Sequence, residues 1–403
     1  MATSDVVPAP TLDELVGRAE ALLPRLRERA AQTEELRRVP DETVEEFRQA
    51  GFFRLFQPAR YGGYELDYGP AQLALGGQLG RACGSSAWVQ SVVACHAWLL
   101  GMFPRAAQDA VWGSDPDALL STGISMRTGR GRPVDGGYQV EGHWEFSSGV
   151  DAVQWVMLMV PLEILGTPAG PPRMRFCILP RADCEIVDNW YASGLRGTGS
   201  KDVAVRGAFV PEEYTLAIDL TMTGQTPGGA INDSYIYRLP MTPVFPYNLV
   251  GPALGIARGA VEEYIAETMA RPDRIDLAAR HLRIAESSAE VDAAAALLRA
   301  DTVEIRTWGQ DGAPIPLDTR VTWLRNLSYA AVLCQRAVDR LATAAGAHSV
   351  LEPNALHRAS RDVHAIVNHV GTSWDRLGVS YGRLRVGLDP ANPMLAAASQ
   401  RGQ

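Results

Sequence analysis

From Thr11 onward apolar residues recur at helical spacing, at Leu12, Leu15, Ala19, Leu22, Leu23 and Leu26, a pattern that predicts a helix with one buried stripe. Thr11 and Glu14 stand three residues apart at its start, the spacing of a capping box. A second helix is predicted from Pro40-Asp41-Glu42 through Val44 and Phe47 to a stop at Gly51. Phe52, Phe53, Leu55 and Phe56 then form a short apolar segment that ends at Gln57-Pro58 and Tyr61-Gly62-Gly63. Helical periodicity returns over residues 71–108, so residues 1–118 read as an α-helical domain.

A different period governs residues 121–211. Tyr138, Val140, Gly142, Trp144 and Phe146 alternate with polar residues after an Asp135-Gly136-Gly137 turn, which predicts a half-buried strand entered from a hairpin. Residues 155–160 and 175–179 read as further buried strands, with a Gly/Pro loop at 166–172 between them. The expectation is a middle antiparallel β domain over residues 119–235. Residues 250–377 are helical again, with Ala-rich faces at 284–298, 323–345 and 361–374. Those lengths suit a packed bundle over residues 236–403, with 219–246 as a linker rich in Gly, Pro and Thr.

Composition narrows the function. With 403 residues, 46% of them hydrophobic, the chain has material for two to three domains. A net charge of −8 with no long Lys/Arg run excludes a nucleic-acid footprint. Cys83, Cys95, Cys177, Cys184 and Cys334 are odd in number and outside CxxC or CxxH spacing, as expected of a reduced, cytoplasmic protein. No apolar run reaches membrane-spanning length, and Met1-Ala2-Thr3-Ser4-Asp5 lacks the features of a signal peptide. The expectation is a soluble protein with no membrane partner. There is no Walker motif, zinc spacing or nucleophile elbow, so no metal is expected.

Three side chains stand out as candidate chemistry. Ser148 ends a predicted strand at Trp144-Glu145-Phe146-Ser147-Ser148-Gly149, His96 lies inside the apolar helix 87–98, and His369 lies in Arg361-Asp362-Val363-His364-Ala365-Ile366-Val367-Asn368-His369-Val370-Gly371-Thr372. Each has a plain reading alone: a serine pair closing a strand in a turn, or a hydrogen-bonded core histidine. They fall one in each predicted domain, and ligand pockets favour such interfaces. On one continuous helix, His364 would be rotated well away from His369 and structural. Gly197-Thr198-Gly199 follows no strand-to-helix nucleotide pattern.

The 361–372 stretch resembles the flavin-proximal helix of acyl-CoA dehydrogenases, which runs Arg-Asp, a spacer, then Tyr-Glu-Gly-Thr. Val370 stands where that family's proton-abstracting Glu would be, and it can accept no proton; His369 is beside it. Ser148 falls where the dehydrogenases' Trp-Ile-Thr-Asn strand end places a hydroxyl on flavin N5. Further blocks are Leu36-Arg37-Arg38-Val39-Pro40-Asp41-Glu42-Thr43-Val44, Gly51-Phe52-Phe53, His96 with Trp98, Trp190-Tyr191, Gly194-Leu195-Arg196-Gly197-Thr198-Gly199-Ser200 and Arg283-Ile284-Ala285-Glu286. In order and spacing, residues 19–388 are similar to the oxygenase component of two-component flavin-dependent monooxygenases, the p-hydroxyphenylacetate and secosteroid-phenol hydroxylase type.

The resemblance implies an acyl-CoA dehydrogenase-like α+β multidomain fold: an N-terminal α-helical domain, a middle antiparallel β-barrel domain and a C-terminal helix bundle. It implies reduced FMN or FAD from a separate, transiently bound flavin reductase, O2 as co-substrate, oxygen transfer through a C4a-hydroperoxyflavin to a small aromatic or polycyclic substrate, and a homotetramer. By the same resemblance Ser148 holds flavin N5, His369 stands beside the flavin peroxide and His96 contacts the substrate hydroxyl. Arg196, Gly197 and Thr198 belong to the flavin surface, although Arg196 also reads as an exposed loop arginine. Ala345-Gly346 resembles a segment reaching a neighbour's cofactor. The secosteroid-type motif continues Cys-Asp-His after its serine-glycine, whereas this chain has Val150-Asp151-Ala152, which points away from a simple phenol. Three alternatives stay open: a flavin oxidoreductase acting on an acyl thioester, an N-oxygenase of an amino compound, and a scaffold with a dead flavin site.

Overall fold

The computed structural model describes residues 9–163, 173–273, 275–392 and 395; the expected 166–172 loop lies outside them. The chain opens with α1 (Leu12–Leu36), α2 (Asp41–Gln49), α3 (Tyr68–Leu79), α4 (Gly84–Leu100) and α5 (Arg105–Trp112). The capping box is made as expected, with Thr11 Oγ1 accepting from the Glu14 N–H and the Glu14 carboxylate accepting from the Thr11 N–H. The helical run expected over 71–108 is three helices. Apolar residues on all sides make α4 wholly buried rather than amphipathic, as befits a helix threaded through a core.

The strands follow: β1 (Leu120–Gly123), β2 (Ser125–Val134), β3 (Gly137–Ser147), β4 (Trp155–Leu162), β5 (Arg173–Pro180), β6 (Glu185–Val187), β7 (Lys201–Pro211) and β8 (Thr215–Ala217). They form one sheet in the order β6-β7-β3-β2-β4-β5-β8, with β1 beside β4. Two features differ from the expected antiparallel barrel. β1 and β2 both run parallel to β4. The sheet is also open: among the described residues β6 and β8, three residues each, pair only with β7 and β5 respectively, so these two edges do not meet.

Residues 219–246, expected as a linker, fold instead into α6 (Ile218–Thr223), α7 (Pro227–Ile231), a 3-10 turn and α8 (Met241–Val244). Buried Ile236 and Tyr237 fasten this stretch to the core. Tyr237 donates to the Phe56 carbonyl at 2.9 Å, and Trp98 Nε1 donates to the Ile236 carbonyl at 2.8 Å. The bundle comprises α9 (Tyr247–Met269), α10 (Ala278–Asp311), α11 (Leu317–Ala345), α12 (Ala355–Val367) and α13 (Trp374–Arg385). The helix expected over 361–374 stops at Val367. Thr372 Oγ1 donates back to the Ile366 carbonyl and to the His369 carbonyl, folding 368–373 into a turn. His369 therefore sits in that turn and not on a helix.

One continuous core joins the N-terminal helices, the sheet and the bundle. No helix among the described residues is long and apolar enough to cross a membrane.

Candidate active site

The site is built where the end of β3 meets α4. Between Trp144 and Ser147 the β3–β7 register slips, and Phe146 adopts a φ of 65°. Such a bulge re-aims the side chains that follow it. Ser147 turns inward, fully buried, and donates to Ser121 Oγ at 3.0 Å. Ser148 faces the other way, accepting from Trp88 Nε1 at 3.1 Å and lying 2.7 Å from Ser200 Oγ. Gly149 follows at φ 71°, where a Cβ would stand 3.0 Å from Val89 of α4, so the strand end lies directly on that helix.

The loop before β7 completes this cluster. Ser200 Oγ is 2.7 Å from Thr198 Oγ1, which donates to the Leu195 carbonyl at 3.0 Å. The loop is held from three sides. The Leu195 N–H donates to Asp362 Oδ1 of α12 at 2.6 Å, the Gly197 N–H donates to Ser85 Oγ of α4 at 3.1 Å, and Trp190 Nε1 donates to the Leu195 carbonyl at 3.1 Å. Gly194 passes so close that a Cβ would lie 1.9 Å from the Arg361 carbonyl. Burial pushes the Asp362 carboxyl up to about 7, against the downward pull of the Leu195 N–H.

The two histidines are both neutral at pH 7 and are opposite tautomers. His96, 3% exposed, faces the Leu120 carbonyl through Nδ1 at 3.0 Å. A carbonyl only accepts, so Nδ1 carries the proton and Nε2 is left to accept, here from Thr122 Oγ1 at 2.9 Å. His369 is the reverse: its Nδ1 accepts the Gly371 N–H at 3.0 Å, so Nε2 carries the proton and is a donor. Burial pulls each imidazole down to about 4. His369 is nonetheless exposed by surface area, and water on its open side softens the depression without reversing it. His369 packs edge-on against Trp88 with ring centroids 5.7 Å apart.

Ser148, Thr198 and His369 are thus joined through Trp88 and Ser200, and Gly197 anchors the same loop. His96 lies eight residues beyond Trp88 on α4, about 12 Å along the axis, and reaches the serines through β1, where Thr122 bonds His96 and neighbouring Ser121 bonds Ser147. Arg196 turns away, reaching Glu352 at 3.4 Å. Gly346 closes α11 with nothing within 4 Å of where a Cβ would stand. His364 pairs with Asp339 at 2.9 Å, away from the cluster. Val370 is exposed. Sequence reasoning passed over Trp88 and Thr122; the signal available was a polar-capable residue two helical turns from His96, and a pair of adjacent hydroxyls, Ser121 and Thr122, in a short strand. Among the described residues no three His, Cys, Asp or Glu side chains gather as metal ligands would.

Residues 19–113 match the model of the acyl-CoA dehydrogenase N-terminal domain, and residues 247–374 match that of the acyl-CoA dehydrogenase C-terminal domain. The chain is 34% identical to the oxygenase subunit HsaA of a flavin-dependent monooxygenase from Rhodococcus jostii (strain RHA1), over 94% of this chain and 100% of that protein. It is 33% identical to the oxygenase component of p-hydroxyphenylacetate 3-hydroxylase from Acinetobacter baumannii, over 94% and 91% of the two chains. The chain belongs to the oxygenase components of two-component flavin-dependent monooxygenases. The crystal structure of the HsaA monooxygenase from M. tuberculosis superposes with a TM-score of 0.90 at 34% identity, covering 96% of this chain and 100% of that one. An oxygenase component implies a partner flavin reductase, and the fold is that of the acyl-CoA dehydrogenases with an open middle sheet.

The residues present fit a flavin. Ser148 keeps one free lone pair after serving Trp88 and Ser200, and it is only half-buried. Two residues before it Phe146 is 58% exposed, edge-on to Trp190, an uncovered aromatic surface against which a planar ring can lie.

Proposed function

We propose that this oxygenase hydroxylates an aromatic substrate bearing a hydroxyl group, using reduced FMN or FAD handed over by its reductase and O2 as co-substrate. The reduced flavin, when bound, supplies the activation of oxygen. Ser148 would hold its N5 edge. Gly197 and Thr198 would belong to the wall around it, with Arg196 and a neighbouring subunit's Gly346 at its outer edge, in a homotetramer. His369, through its Nε2 proton, donates a hydrogen bond where negative charge develops on oxygen. His96 acts at the substrate. With its pKa near 4 it is a weak base, and the one lone pair of its Nε2 already takes the Thr122 hydroxyl proton, so it orients the substrate hydroxyl through Thr122 Oγ1 rather than removing its proton outright. Thr122, 7% exposed against 3% for His96, is the group a substrate meets first. The three-domain division at 118 and 235 would put this site where helices, sheet and bundle meet.

The observation that supports this reading is the pairing of one donor and one acceptor imidazole, both neutral, with a lone-pair-bearing serine at the strand end between α4 and the 194–200 loop. Val370 stands where the resembled dehydrogenase helix carries its proton-abstracting carboxylate, which counts against an acyl-thioester dehydrogenase. Anaerobic titration with reduced and oxidised FMN and FAD tests the reading. Reduced flavin should bind more tightly and the protein should purify colourless. A tightly held oxidised FAD that acyl-CoA reduces would overturn it.

A further inference from the structure

Four hydrogen bonds run in series from Trp88 Nε1 through Ser148, Ser200 and Thr198 to the Leu195 carbonyl, at 3.1, 2.7, 2.7 and 3.0 Å. The first group can only donate and the last can only accept. Between them stand three hydroxyls, each with one proton. Four bonds need four protons, and the indole plus three hydroxyls supply exactly that number, so every proton must point the same way. Ser148 therefore spends its only proton on Ser200 and offers any further partner a lone pair and nothing else. Ser200 is 4% and Thr198 1% exposed, so water does not readily substitute for either link.

We propose that the Ser200–Thr198 hydroxyl chain sets Ser148 as an obligate acceptor, and that this makes the site discriminate between the redox states of flavin. The inference rests on the reading that Ser148 faces flavin N5. Reduced flavin carries a proton at N5 and donates to such a serine; oxidised flavin has a bare N5 that needs a donor. To serve oxidised flavin the chain must reverse, and the Leu195 carbonyl then loses its bond from the Thr198 hydroxyl while keeping those from Trp190 Nε1 and the Thr198 N–H. One hydrogen bond lost corresponds to roughly a 10-fold change in affinity. Ser200 and Thr198 are thus positioning residues: they act through Ser148. The chain helps reduced flavin to be captured from the reductase and spent, oxidised flavin to be released.

The test is the ratio of dissociation constants for oxidised and reduced forms of one flavin, measured anaerobically on the full-length protein, with the potential of the bound flavin as its equivalent. Ser200→Ala frees the Ser148 proton, so oxidised flavin should bind more tightly and the ratio should fall roughly 10-fold. Thr198→Val breaks the chain one link later with an isosteric side chain, and it should shift the ratio the same way even if Ser200→Ala folds poorly. A merely structural defect would weaken both forms together and leave the ratio in place, which overturns the proposal. If Ser148→Ala moves the ratio while Ser200→Ala and Thr198→Val do not, the proton-direction argument is wrong and the N5 reading stands. If Ser148→Ala moves neither affinity, the N5 reading itself fails.

Discussion

Asp362 carries two opposed effects that substitution can separate. Its carboxyl is 2% exposed and accepts the Leu195 N–H at 2.6 Å, and burial raises its pKa from 3.8 to about 7. The folded state thus binds more protons than the unfolded state between those values, so this group's contribution to stability falls as pH rises through that window. The linkage amounts to about 3 kcal/mol between pH 5 and pH 8. Asp362→Asn keeps an oxygen for the Leu195 N–H and removes the titration. It should be at least as stable as the parent at pH 8, and less favoured relative to it at pH 5. Asp362→Ala orphans the buried Leu195 N–H, at a cost of about 1–3 kcal/mol. It should loosen the 194–200 loop and weaken flavin binding, where Asp362→Asn should not. Urea unfolding of the three proteins at pH 5, 6, 7 and 8 reads the slope, and amide exchange of the loop reads the tie. Equal pH slopes in parent and Asp362→Asn would refute the buried-carboxyl reasoning; an Asp362→Ala protein with normal loop protection would refute the tie.

Ser148→Ala should raise the share of reduced flavin lost as hydrogen peroxide, whereas Ser147→Ala, on the inward face beside Ser121, should cost about 1 kcal/mol of stability and leave peroxide release unchanged; the reverse pattern would mean the wrong serine faces the flavin. His96→Ala should cut product formation about 10²-fold through lost positioning while flavin is still consumed and peroxide accumulates, and His369→Ala should alter the oxygen reaction even without substrate. Identical behaviour of the two variants in substrate-free stopped-flow traces would show that their roles are not divided. Light scattering should give a tetramer, and full activity in a monomer would exclude a cofactor site shared between subunits.

Much of this arrangement was legible before the structure. The helix–sheet–helix succession follows from periods of about 3.6 and 2, and the capping box at Thr11 forms as its spacing predicts. Where the reading failed, tertiary contacts had overruled local pattern. The Gly, Pro and Thr of 219–246 suggested a linker, but Tyr237 and Ile236 bind it to α4 and the 56 carbonyl. Apolar spacing through residue 374 hid the break after Val367, because the Thr372 hydroxyl that folds back on Ile366 leaves no mark on periodicity. A barrel was expected from resemblance alone; closure depends on edge strands whose pairing no strand pattern specifies. Ser148, His96 and His369 could be picked out as residue types, but their tautomers and the hydroxyl chain depend on partners 24 to 60 positions away or, for His369, on a local turn.

On the proposed function the chain accepts flavin already reduced and uses it to place oxygen from O2 on an aromatic ring. Photoreduced FMN or FAD, mixed with the protein and a panel of phenols without any reductase, should be exposed to 18O2 for a single turnover and the products weighed. The expected product is a hydroxylated phenol carrying one 18O atom per molecule, formed at the expense of hydrogen peroxide. Reduced flavin that reoxidises at the same rate with and without the protein, with no labelled product from any phenol, would contradict it.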